Sequence, residues 1–150
     1  MAPADEIAHL LKDAAASMKS DVRGAVGKLE AAYALALQAG DPDQSAGVAE
    51  ELARGWARRK STSRSLYFAV KATKTAPERK AAWNTLAKTC ELVASRTSAE
   101  SKLRRAQALY RAAAGAFKKA ASLTKDPEDK RWLLELASDA ARQARPPEPT

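Results

Sequence analysis

Apolar residues recur at intervals of three and four along nearly the whole chain, the spacing of a helix face, and β-branched residues nowhere alternate as they would in a strand. The pattern predicts helices over 4–18, 20–39, 44–60, 63–76, 78–95, 99–124 and 129–144. The breaks between them have physical causes. In AGDPDQS, Gly40 suits a helix end, and Pro42 with its acidic neighbours suits the start of the next helix. TAPERKAAW and TKDPEDKRW set Pro77 and Pro127 at the first turn of a new helix, where the missing N–H costs little. Glu50 and Glu51, and Asp126, Glu128 and Asp129, read as acidic charges at helix N-termini. RPPEPT cannot continue a helix, so 146–150 is expected to be a disordered tail. The expected fold is all-α: six to seven helices in antiparallel hairpins, forming a single domain over 1–145.

The punctuation also repeats. Ala49, Leu52, Ala53 and Trp56 recur 34 residues later as Trp83, Leu86, Ala87 and Cys90. Leu133, Leu136, Ala137 and Ala140 repeat the spacing after Pro127. Between them Ser65, Ala69 and Ala72 supply small side chains that let paired helices approach closely. WNTLAKTC (Trp83, Leu86, Ala87, Cys90) and AAAGAFKKA (Ala113, Phe117, Ala120) resemble the two helices of the tetratricopeptide repeat, with Ala for Gly and Cys for Tyr in the first. The resemblance covers 44–144 and implies a short solenoid that binds protein segments. The chain departs from that pattern in two places. Leu86 and Leu136 are 50 residues apart rather than 34, and the N-terminal pair carrying Ile7, Leu10, Leu29, Tyr33 and Ala36 is out of phase by 8. The last third also resembles the microtubule-interacting-and-transport three-helix domain.

Composition narrows the class. At 150 residues the chain is long enough for a core without staples, and an aromatic content of 5% requires that core to be built from Ala and Leu. The one cysteine, Cys90, cannot form an internal disulfide, and its apolar flanks predict a buried thiol in a reducing compartment. The N-terminal stretch lacks the basic region and continuous apolar run of a signal peptide. No stretch is apolar enough to span a bilayer. A cytoplasmic protein with no membrane insertion is expected, and the Ala- and Arg-rich composition suits a GC-rich bacterial genome.

Charge changes the picture most. Nine basic residues against Glu78 alone fall between Arg54 and Lys80, a local +8 that equals the net charge of the whole chain. A second run from Ser101 to Lys125 holds seven basic residues and no acid. On a helical wheel, Leu103, Ala106, Tyr110, Ala113, Phe117 and Ala120 share one face, while Arg104, Arg111, Lys118 and Lys125 repeat every seven residues on the other. Solvated faces usually mix signs, and these do not. The candidate partner-binding residues are therefore Arg54, Arg58, Arg59, Lys60, Arg64, Lys71 and Lys74, together with Arg104, Arg111, Lys118 and Lys125. RRKSTSR falls at a helix corner, where positive charge suits the end of one helix and Ser61 or Ser63 can cap the next. The same residues could clamp a phosphate or carboxylate. Ser61, after Arg-Arg-Lys, is a candidate phosphorylation site whose phosphate would cancel local charge.

Catalysis finds little support. There is one His and one Cys, His9 and Cys90, with no metal-ligand spacing, no Gly-rich phosphate loop and no cofactor motif. No cofactor is expected. A helix-turn-helix reading of TLAKTCELVASRTSAESKLRRAQ fails at Glu91, which occupies the turn position where Gly is usual. Exposed aromatics for stacking on single strands are expected to be scarce. The sequence thus points to a non-enzymatic adaptor or scaffold that binds a protein or peptide with an acidic segment, through a groove between hairpins and the basic helix faces. Two readings stand beside it: a nucleic-acid backbone binder using the same basic faces, and a structural oligomerising module.

Overall fold

The computed structural model describes residues 2–99 and 102–145. The expected tail, 146–150, lies outside the described residues. Among them are seven helices and no strand: α1 (Pro3–Ser17), α2 (Val22–Ala39), α3 (Pro42–Arg58), α4 (Thr62–Thr75), α5 (Lys80–Ala99), α6 (Leu103–Ser122) and α7 (Pro127–Gln143). Consecutive helices pack as hairpins within two compact units, one ending at Pro77 and the other beginning at Glu78.

The first unit holds α1 to α4. Asp21 caps α2 by accepting the Gly24 N–H at 2.9 Å. Gly40 closes that helix at φ 74°, the left-handed conformation glycine adopts without steric cost. Asp41 then caps α3, accepting from Asp43 and Gln44, with Pro42 as its first residue. Since α3 starts at Pro42, Glu50 and Glu51 lie in mid-helix rather than at an N-terminus, and Glu50 is buried. Val26, Leu29, Val48, Leu52 and Trp56 form the centre of the core, with Ile7 and Ala14 from α1 closing one side. At Gly55 the helices come close: a Cβ there would lie 2.9 Å from Cγ2 of Val26.

The second unit holds α5 to α7. Phe117, fully buried on α6, is surrounded by Ala87, Ala116, Ala120, Ala121, Leu133 and Ala137. Trp83, Leu86 and Leu136 are half-buried against that cluster. Asp126 caps α7 by accepting the Glu128 N–H at 3.1 Å, and Pro127 is its first residue, as the sequence pattern requires. Pro77 behaves differently. It sits in a turn three residues before α5, which begins at Lys80. The expected break near 96–98 is absent because nothing in Ser95–Ala99 opposes helix, and α5 continues to Ala99. With α5 and α6 at twenty residues each, the longer spacing from Leu86 to Leu136 is taken up by helix.

Candidate interaction surface

The α3–α4 corner positions the first basic segment. The Lys60 N–H donates to the Ala57 carbonyl at 3.0 Å, and the Ser61 N–H reaches back to the Trp56 carbonyl at 2.9 Å. This crossed pair of bonds needs a left-handed residue, and Lys60 fills that place at φ 61°, where glycine is usual. Of the two serines that could cap α4, Ser61 takes the N-cap position but makes no side-chain capping bond, and Ser63 lies inside the helix.

The corner brings two cations onto one ring. The guanidinium carbons of Arg59 and Arg64 lie 4.6 and 4.5 Å from the ring centroid of Trp56, which is itself buried. Stacking of this kind immobilises the planar guanidinium while leaving its edge donors free for an anion. The indole Nε1 is buried with no hydrogen-bond partner among the described residues. An aromatic ladder continues outward, with Tyr33 edge-on to Phe68 at 5.7 Å and Phe68 edge-on to Tyr67 at 5.1 Å. Burial pushes the Tyr33 hydroxyl pKa up, assisted by Tyr67.

These side chains line an open groove of about 510 Å³ between α2, the end of α3 and α4, with Arg23, Arg59 and Arg64 set against Glu30 as the single acid. A second hollow of about 340 Å³ runs along α4, lined by Leu66, Tyr67, Val70, Lys71 and Lys74. Tyr67 belongs to both and is 60% exposed. Arg23, Glu30 and Tyr67 do not figure among the candidates drawn from sequence. The signal was present, because Arg64, Tyr67, Lys71 and Lys74 follow i, i+3, i+7, i+10 spacing and share one helix stripe. Exposed aromatics are also less scarce than expected, since Trp132 on α7 is 60% exposed as well.

The remaining candidates divide. Arg58, Lys60, Lys71 and Lys74 are exposed, and none makes an ion pair with a described acid. Arg54 is held by Glu51 at 2.6 Å. In the second unit Arg104, Arg111 and Lys118 are exposed along α6, opposite buried Ala106, Ala113, Phe117 and Ala120. Lys125 is exposed but off the helix, because α6 ends at Ser122. Leu103, expected on the apolar face, is 55% exposed at the first residue of α6.

Cys90 and His9 sit in opposite surroundings. Cys90 is 3% exposed, and burial, with a smaller contribution from Glu91, pushes its thiol pKa up to about 11. His9 is exposed and faces Asp13 one turn on, at 3.2 Å. Among the described residues no three His, Cys, Asp or Glu side chains are grouped to hold a metal ion, and no helix is long and apolar enough to cross a membrane. No protein-family model and no curated protein matches this chain.

Proposed function

We propose that the chain is a cytoplasmic, non-enzymatic adaptor of tetratricopeptide-like build that holds an acidic protein segment against its basic helix faces. The observation that carries this reading is the pair of guanidiniums stacked on Trp56 with Lys71 and Lys74 along α4, which have no acidic partner among the described residues. Fixed charge of one sign is costly to gather, and it is relieved by an anionic partner. The buried Cys90 thiol, with its pKa pushed up to about 11, is poorly suited to act as a nucleophile, which favours a binding role.

A second reading, binding to nucleic-acid backbone, is favoured by the exposed cations Arg104, Arg111 and Lys118 along α6. Affinity capture with and without nuclease separates the two. A protein partner retained after nuclease treatment, and lost as Arg58, Lys71 and Lys74 are reversed to Glu, supports the adaptor. Capture abolished by nuclease, with affinity falling steeply in salt, supports the nucleic-acid reading.

A further inference from the structure

The two hollows on the first unit differ in chemistry yet meet at Tyr67. One is an arginine groove, with Arg59 and Arg64 held against Trp56 and Arg23 opposite. The other has aliphatic walls, Leu66 and Val70, edged by Lys71 and Lys74. Val70 is 36% exposed and Tyr67 more so, both on α4. Charge alone would not need apolar side chains at that place, and apolar contact alone would not need five cations beside one acid. We propose that this surface takes an acidic protein segment in a fixed register: a carboxylate in the arginine groove, and a bulky apolar side chain against Leu66, Tyr67 and Val70. The inference rests on the adaptor reading and adds to it a second, apolar determinant and a direction along α4.

The geometry sets the spacing. Arg64 and Val70 are six residues apart on α4, about 9 Å along the helix at about 1.5 Å per residue. An extended partner covers that distance in about three residues at about 3.3 Å each. A helical partner needs about six. The immobilised arginines lower the entropic cost of closing on the carboxylate, while the apolar contact supplies binding that salt does not screen. Single-stranded nucleic acid fits less well. It stacks bases on successive aromatic rings, whereas here one exposed ring is flanked by aliphatic walls.

The test uses the full chain as bait against a random peptide library displayed on phage. Selected peptides should carry an acidic residue and a bulky apolar residue at one of these two spacings. Titration of a fluorescent selected peptide should weaken about tenfold or more with Val70→Ser and with Tyr67→Ala, and hardly change with Arg104→Glu. Circular dichroism confirms that each variant is folded. Acidic peptides indifferent to Val70→Ser and Tyr67→Ala would overturn the inference while leaving the adaptor reading intact. Acidic peptides lost only with Arg104→Glu would do the same and move the site to α6. Selection without enrichment of acidic residues would overturn both. Oligothymidylate binding that is tighter than the best peptide and abolished by Tyr67→Ala would reassign the surface to nucleic acid.

Discussion

The Ser65 hydroxyl donates to the Ala53 carbonyl oxygen at 2.7 Å, across the contact between α3 and α4. Both residues are buried, so water cannot replace the bond. Ser65→Ala should lower stability by about 1 kcal/mol, the ordinary net value of such a bond. Ser65→Leu should cost more, about 1–3 kcal/mol from overpacking, because the helices meet through small side chains at this point. Urea titration followed by circular dichroism distinguishes the two. Equal losses would mean the hydrogen bond, rather than the close approach, sets the α3–α4 contact.

Gly55 tests the neighbouring contact. Alanine in mid-helix gains about 1 kcal/mol over glycine in propensity, but its Cβ would meet Cγ2 of the stiff Val26 side chain at 2.9 Å. Overpacking should win, so Gly55→Ala should destabilise. Val26→Ala alone should also destabilise, by leaving a cavity. The double variant should be more stable than the sum of the two losses predicts, since each change accommodates the other.

Lys60 carries a cost that glycine would not. A left-handed lysine at φ 61° loses about 1–2 kcal/mol relative to an unstrained conformation. Lys60→Gly should therefore raise stability by about 0.5–1 kcal/mol, the remainder being offset by the greater freedom of glycine in the unfolded chain. Lys60→Val should lower it. A loss with glycine would show that the lysine side chain, and not the backbone, holds the corner.

Cys90 should react slowly with a thiol reagent in the native state and quickly in mild denaturant. Its folded pKa of about 11 lies above the ordinary thiol value, so the folded chain keeps a proton that the unfolded chain loses as pH rises. Stability should be unaffected below the unfolded pKa and fall between there and the folded value, by at most about 1.4 kcal/mol per pH unit. Cys90→Ala should reduce that slope, leaving the part due to Tyr33, whose hydroxyl pKa is also raised. Rapid native labelling would show the thiol to be accessible and would revive a redox role.

Much of the architecture could be read from local chemistry. Asp41-Pro42 and Asp126-Pro127 are start signals that act through their own backbone, and both open helices as expected. The stripe of Ala113, Phe117 and Ala120 follows from period alone. The α5–α6 boundary was less legible because Ser95–Ala99 contains no breaker, and α5 runs on to Ala99. The interaction surface was legible only in its charges. Trp56 and Arg59 are one helical turn apart, but Arg64 meets the same ring only after the chain reverses at the left-handed Lys60. Arg23 joins them from α2, a distance in sequence that no local pattern spans.

That arrangement divides the basic residues into two kinds, and charge reversal should separate them. Arg58, Lys71 and Lys74 are exposed and without acidic partners among the described residues, so reversing all three to Glu should leave helicity and melting close to those of the parent, within about 0.5 kcal/mol per site. Arg59 is half-buried over Trp56. Arg59→Glu should remove a cation–π contact and cost about 1 kcal/mol of stability. Both variants should lose an acidic partner, since each reversal turns attraction into repulsion. The parent's association rate should fall as salt shortens the Debye length towards about 8 Å and below. Binding kinetics beside thermal melts give the answer. If the triple reversal binds an acidic partner as well as the parent does, Arg58, Lys71 and Lys74 serve solubility alone. If it melts much lower, those cations hold the fold together and cannot be assigned to a partner.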